Sequence, residues 1–188
     1  MLIIRIIYMK QIRIHGRGGQ GVVTAAELIA IAAFADGREA QAFPSFGVER
    51  TGAPIEAFVR LADKPIKTRE HVYEPDILIV LDASLLSTID IAKGSKPNTQ
   101  LIINTTKNKD KIKVNIKPAN IFAVDATKIA LDIIGKNIAN TVTLGALAKA
   151  TGLISLNGLK VAIKQKFSGK GKDITEKNIK AVTKAYNS

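Results

Sequence analysis

Cysteine is absent from the 188 residues, and so is tryptophan. Without cysteine there is no disulfide, no thiol nucleophile and no protein thiolate to hold an iron–sulfur cluster. Histidine occurs only as His15 and His71, which argues against a structural zinc site. Any redox metal in the working complex is therefore expected on another chain. Arginine is missing from the second half of the sequence. Residues 1–90 carry 10 Lys/Arg against 11 Asp/Glu, whereas residues 91–188 carry 18 lysines against 5 acidic residues. Aromatic residues make up only 5%. A nucleic-acid binder more often mixes in arginine for bidentate base contacts and aromatics for stacking. The net charge of +12 thus reads as a solvated lysine surface that can also attract an anionic partner or ligand, with no nucleic acid and no membrane among the expected partners. Abundant lysine and isoleucine would also suit a thermophile.

Long apolar runs are lacking too, and no segment approaches the ~20 residues a membrane-spanning helix needs. The apolar stretch from Met1 to Tyr8 is too short for a signal peptide and has no cleavage site. Met9 reads as a second possible start, which would make residues 1–8 an upstream extension; alternatively they lengthen the first strand. The expected location is cytoplasmic. The length suits one domain with a substantial core over residues 9–188. No Ser/His/Asp set in a nucleophile elbow and no HExxH motif is present. That fits a subunit whose chemistry is carried by other chains.

What the sequence does have is Arg13-Ile14-His15-Gly16-Arg17-Gly18-Gly19-Gln20-Gly21-Val22-Val23-Thr24-Ala25-Ala26. A strand passes through four glycines in six residues into an alanine-rich helix. Glycines let a ligand approach the backbone, and the helix start aims N–H groups and a positive dipole end at it. An anion, typically a phosphate, is the natural occupant; a tight strand-to-helix turn without a ligand is the plainer reading. Gly16, Gly18 and Gly21 fit the dinucleotide spacing. The acidic residue such a site wants about twenty positions on would be Glu39, which opens the next expected strand and so lies on the wrong side of the sheet. A phosphate loop is expected rather than a nicotinamide site. His15 beside the loop either touches a ligand or packs at a strand end.

The helix is expected over Val22 to Ala35, with Val22, Ala25, Ala26, Ile29 and Ala33 on a small apolar face. Strands follow at Glu39 to Phe43 and Ile55 to Leu61, separated by the loop Pro44-Ser45-Phe46-Gly47-Val48-Glu49-Arg50-Thr51-Gly52-Ala53-Pro54. Loops of this length often carry function, and the Arg50 guanidinium could clamp a phosphate or carboxylate. A short strand is expected at Ile66 and Lys67, and a central one at Ile77 to Leu81, buried on both faces. Asp82 either borders a site or caps the helix near Ser84, the cap being favoured. Strands at Gln100 to Asn104 and Asn120 to Asp125 end in polar residues. Between them Lys107 to Lys117 alternates like an edge strand or hairpin arm. Helices are expected at Ala126 to Ile134, Asn140 to Ala150, Leu156 to Phe167 and Thr175 to Ala185, the last with an apolar stripe of Ile174, Ile179 and Val182. Ser168 to Lys172 reads as a flexible turn. The order describes an α/β fold: a three-layer open sheet with a Rossmann-like start, mostly parallel with an antiparallel portion, and a helical C-terminal part.

Three motifs in fixed order carry a resemblance. They are His15 to Gly21, Phe46-Gly47-Val48-Glu49-Arg50-Thr51-Gly52-Ala53-Pro54, and Pro75-Asp76-Ile77-Leu78-Ile79-Val80-Leu81-Asp82. From residue 10 to about 185 the chain resembles the gamma subunits of 2-oxoacid:ferredoxin oxidoreductases, most of all those of the pyruvate enzymes. Similar sequences often have a second basic residue where this chain has Thr51. The resemblance implies an enzyme that turns a 2-oxoacid and coenzyme A into acyl-CoA and carbon dioxide, passing electrons to ferredoxin. Thiamine diphosphate would sit between alpha and beta subunits, and iron–sulfur clusters on a delta subunit and often on beta. It further implies that this chain helps position coenzyme A as co-substrate and holds no cofactor covalently. Gly16, Arg17, Gly18, Gly19, Gln20, Gly21, Arg50 and Thr51 are the residues expected to serve as its site, with the glycine turn facing either coenzyme A or the neighbouring subunit. Three other readings stay open: a stand-alone nucleotide-binding oxidoreductase, a lysine-driven nucleic-acid binder, and the same subunit of a 2-oxoisovalerate or 2-oxoglutarate enzyme.

Overall fold

The computed structural model describes residues 9–45 and 51–188. The expected upstream extension at residues 1–8 and residues 46–50 of the long loop, Arg50 included, lie outside the described residues.

Strand β1 (Lys10–Arg17) follows from the alternation of Ile12 and Ile14 with Arg13 and His15, since successive side chains of a strand point to opposite faces. The glycine turn leads into α1 (Val22–Ala35), on the expected residues. Next come β2 (Glu39–Pro44), β3 (Pro54–Ala62), β4 (Ile77–Val80), β5 (Gln100–Asn104) and β6 (Ile121–Val124). The C-terminal part is helical: α2 (Ala126–Ile134), α3 (Ala139–Thr151), α4 (Leu156–Phe167) and α5 (Lys172–Tyr186). The strands form one sheet in the order β2-β3-β1-β4-β5-β6. Strands β1, β4, β5 and β6 run parallel, while β3 is antiparallel to both β1 and β2. The mixed, mostly parallel α/β sheet is thus as expected.

One face of the sheet presents Ile12, Ile14, Val59, Ile79 and Ile102 to the helices, where alanine-rich α1 lies close to the strands and packs against α3 and α4. Gly135, with φ +79, ends α2 at the expected place, because only glycine enters the left-handed region freely.

The opposite face departs from expectation. No long helix covers it among the described residues; 3-10 turns at Ala83–Ser87, Lys109–Lys111 and Pro118–Asn120 and irregular chain do so. The edge strand expected over Lys107 to Lys117 is absent. Its alternation is real in burial, with Ile112, Val114 and Ile116 half-buried and Lys113 and Lys117 exposed. Those apolar side chains pack against Leu78, Val80, Leu101 and Ile103 on the sheet face, so the backbone has no strand beside it to pair with.

The short strand at Ile66 and Lys67 is absent for a related reason. Residues 63–76 run irregularly, and buried arginines on the sheet meet carbonyls of this segment. Arg13, 7% exposed, donates to the carbonyls of Val72 (3.3 Å), Ile91 (3.0 Å) and Lys93 (2.6 Å). Arg60, 2% exposed, donates to the carbonyls of Glu70 and His71 and to the side-chain oxygens of Gln11 and Gln41. Each guanidinium offers five donors, enough to satisfy several carbonyls that lack a ladder partner.

Helix α5 begins at Lys172 rather than Thr175, and Ser168–Lys170 is a 3-10 turn rather than a loose one. Thr175 donates to the carbonyls of Gly171 and Phe167 instead of starting the helix. Of the expected stripe, Val182 is buried and Ile179 half-buried, while Ile174 is exposed.

Candidate functional site

The glycine turn sits at the C-terminal end of β1, where open α/β sheets bind ligands. Gly16 is required for close packing: a Cβ there would lie 2.5 Å from a Val22 methyl. Gly19 and Gly21 have φ of +91° and +74°, the left-handed region. Gly18 is held by the returning arm of the long loop. Its amide donates to the Ala53 carbonyl (2.9 Å), its carbonyl accepts from the Gly52 amide (3.1 Å), and it bridges to Thr51. Residues 16–21 and Thr51 therefore come together.

Arg17 and Gln20 are not free at the surface. The Arg17 guanidinium donates to Asp82 (3.1 Å), to the Gly52 carbonyl (3.1 Å) and to Ser84 Oγ (2.8 Å). The Gln20 side chain folds back over its own turn, accepting from the Arg17 amide (2.7 Å) and donating to the same Asp82 oxygen (3.0 Å). Asp82 is the hub of this knot. Its other oxygen caps the following 3-10 turn by accepting from the Ser84 amide (2.9 Å), as the sequence favoured. The contacts of Asp82 with Arg17 and Gln20 have no signal in the sequence beyond its placement at the end of a central parallel strand, which marks it as a residue that could border a site. Burial pushes the Asp82 carboxyl up, but the hydrogen bonds from Ser84 and Gln20 and the Arg17 charge outweigh that and hold it below the usual carboxylate range.

A cavity of about 430 Å³ opens here. Its wall takes one polar contribution from the end of each parallel strand: Gln20 after β1, Asp82 after β4, Asn104 on β5 and Asp125 after β6. Asn104 donates to the Leu81 carbonyl and Thr127 Oγ1 and accepts from the Thr127 amide, which fixes α2 to β5. Asp125 caps α2 through the Lys128 amide. The N-termini of α1 and α3 have no side-chain cap. Asn140 ties them together by donating to the Gly21 carbonyl (3.1 Å), and a Cβ on Gly21 would overlap that amide. Asn140 is 5% exposed, and its side-chain oxygen has no partner among the described residues. Its position at the start of an expected helix was the only hint the sequence offered. Two uncapped helix starts favour an anionic group and the hydroxyls and amides can pair with polar ligand atoms, while the carboxylates of Asp82 and Asp125 on the same wall oppose an anion placed beside them. No group of three or more metal-binding side chains forms among the described residues.

Glu39 is exposed and pairs with Ala62 at the end of the sheet where β1 begins. At ~3.3 Å per residue, that is roughly 20 Å from the glycine turn. The ribose contact of a dinucleotide site is therefore not available from Glu39. His15 is 1% exposed and packed, not facing the cavity. Its Nε2 accepts from Arg13 Nε (3.2 Å), which leaves the proton on Nδ1. Burial, and then the Arg13 charge, push its pKa down to about 3. The Nδ1 contact with Glu56 at 3.3 Å is therefore that of a neutral ring, and it lacks hydrogen-bond geometry.

Comparison with known proteins matches residues 11–188 to the family model described as pyruvate ferredoxin/flavodoxin oxidoreductase. The pyruvate/ketoisovalerate oxidoreductases common subunit gamma of Thermococcus kodakarensis is 52% identical over 181 residues, covering 95% of this chain and 96% of the relative. The pyruvate synthase subunit PorC of Methanosarcina barkeri is 56% identical over 156 residues, covering 83% and 85%. The crystal structure of pyruvate oxidoreductase subunit PORC from Thermotoga maritima superposes with a TM-score of 0.82 at 36% identity, covering 97% of each chain. With residues 11–188 matched by the family model and the fold shared with the Thermotoga subunit, the chain belongs to the pyruvate ferredoxin/flavodoxin oxidoreductase family.

Proposed function

We propose that this chain, as a single domain of residues 9–188, is the gamma subunit of a cytoplasmic pyruvate:ferredoxin oxidoreductase with alpha, beta and delta subunits. The assembly turns pyruvate and coenzyme A into acetyl-CoA and carbon dioxide, with electrons passing to ferredoxin. Thiamine diphosphate and the iron–sulfur clusters belong to the other subunits. The observation that carries this reading is the likeness to a pyruvate/ketoisovalerate oxidoreductases common subunit gamma over 95% of this chain and to a pyruvate synthase subunit PorC over 83% of it. Within the assembly this chain helps position coenzyme A. The turn from Gly16 to Gly21 and the uncapped start of α1 take a phosphate-bearing portion of the ligand, with Arg50 and Thr51 on the adjoining loop. Arg17 and Gln20 act as positioning residues, holding the turn through Asp82.

The test is to express the tagged chain in its native host, purify anaerobically, and assay pyruvate-driven viologen reduction with and without coenzyme A. Three further chains co-purifying with coenzyme A-dependent activity are expected. In the complex carrying Gly18→Val, a raised KM for coenzyme A is expected; an unchanged KM in an intact complex counts against the contact. A lone chain that brings no partners and no dye reduction overturns the reading. A second reading, a gamma subunit shared with a ketoisovalerate enzyme, is favoured by the double name of the Thermococcus relative. It requires two sets of partner chains on the same tag.

A further inference from the structure

We propose that the free edge of β6 is the docking site for an extended, acidic segment of a partner subunit, which adds to the sheet as a seventh strand. The inference rests on the reading that this chain works within a hetero-oligomer. Among the described residues, strand β6 closes the sheet and pairs only with β5. Its sequence, Ile121-Phe122-Ala123-Val124, is short, at four residues, but contains no charged residue and no proline to block pairing along it. The opposite edge strand, β2, has Glu39 and Pro44 at its ends.

Beside β6 lies a groove of about 860 Å³ running between the strand and helices α2, α3 and α5. Its floor is apolar, with Phe122, Ile129 and Ala146 among its side chains. Its rim carries Lys109, Lys128, Lys149 and Lys184 against the two carboxylates of Asp125 and Asp132. Lys128 pairs with Asp132, and Lys149 lies over the Tyr186 ring at 5.4 Å. Lys109 and Lys184 are exposed and have no carboxylate within ion-pair distance among the described residues.

An extended peptide on this edge would use main-chain hydrogen bonds for affinity and alternate side chains for the floor. The lysine rim asks for carboxylates in return. A second copy of this chain is the wrong occupant, because the same four lysines would face one another across the new pairing.

The test uses the assembled complex purified through a tag on this chain. A zero-length carbodiimide couples lysines to carboxylates in contact, and mass spectrometry maps the products. Cross-links from Lys109 and Lys184 to Asp or Glu of one short segment of a partner subunit are expected. Amide exchange across residues 121–124 is expected to slow by about tenfold or more relative to the full chain alone. The doubly substituted chain, Lys109→Glu with Lys184→Glu, should retain about tenfold less partner at equal concentration with an unchanged melting curve. Cross-links only between copies of this chain, or equal exchange with and without partners, would overturn the inference while leaving the function intact. A chain that purifies alone overturns both.

Discussion

At the scale of single residues, His15 is the group whose chemistry the fold changes most. Its folded pKa of about 3 lies below the ordinary 6.5. Between those values the unfolded chain binds a proton that the folded chain refuses. The contribution to stability is therefore complete above pH 6.5 and is lost as pH falls toward 3. From pH 7 to pH 5 the loss attributable to His15 is about 2 kcal/mol, at about 1.4 kcal/mol per unit once the unfolded histidine is protonated. Denaturant titrations of the wild type and His15→Gln at both pH values check this. The variant should lose about 2 kcal/mol less stability between them, and equal slopes would contradict the burial argument. Asp82 acts at lower pH with the same sign. Its depressed pKa lends the knot of Arg17 and Gln20 stability that holds above the ordinary carboxyl range and fails as pH falls through the folded value.

At the scale of elements, α3 and α5 show how one residue sets a helix–helix distance. Gly145 lies in the middle of α3, where alanine would be the better helix former by ~1 kcal/mol. A Cβ there would fall inside contact distance of the Val182 carbonyl and 3.0 Å from the Tyr186 amide, both backbone groups of α5. Backbone cannot swing aside as a side-chain tip can, so overpacking outweighs propensity. Gly145→Ala should therefore destabilise the protein by about 1–3 kcal/mol. A thermal or denaturant melt decides the sign, and a stabilised variant would show that α5 shifts freely. Elements of the helical face were legible in the sequence for a local reason. Gly135 closes α2 through its own φ, and Ser155 caps α4 by accepting from the Gly158 amide. The covering layer of the other face was illegible because its order is not local. The alternation over Ile112, Val114 and Ile116 reads the same whether the segment pairs with a strand or lies across a sheet. Likewise, Arg13 and Arg60 look like solvent-facing positions of amphipathic strands until the segment they bind is in place.

At the scale of the whole molecule, the charge is lopsided along the chain, and the lysines of the second half fall mostly on exposed positions of helices and turns. Aromatic side chains to stack bases are few. Duplex DNA should therefore bind the full chain only weakly at about 150 mM salt, where exposed charges are screened beyond ~8 Å. Fluorescence anisotropy with a labelled duplex checks this, and tight binding with a steep salt slope would return the nucleic-acid reading to consideration.

The sequence by itself determined the order of the six strands and five helices among the described residues, though not the absence of the further strands read at residues 66–67 and 107–117. It likewise determined the place of the glycine turn, the exclusion of protein-thiolate chemistry and the family resemblance. All of these are carried by local pattern, by composition or by motifs in fixed order along the chain. Only the tertiary structure decided that Arg17 and Gln20 are spent on Asp82, 65 and 62 residues away, rather than offered to a ligand. It also decided that Asn140 joins two helix starts across 119 residues, and that β6 is left with an open edge. Those outcomes depend on which groups the fold brings within hydrogen-bond distance, and spacing along the chain does not encode that distance.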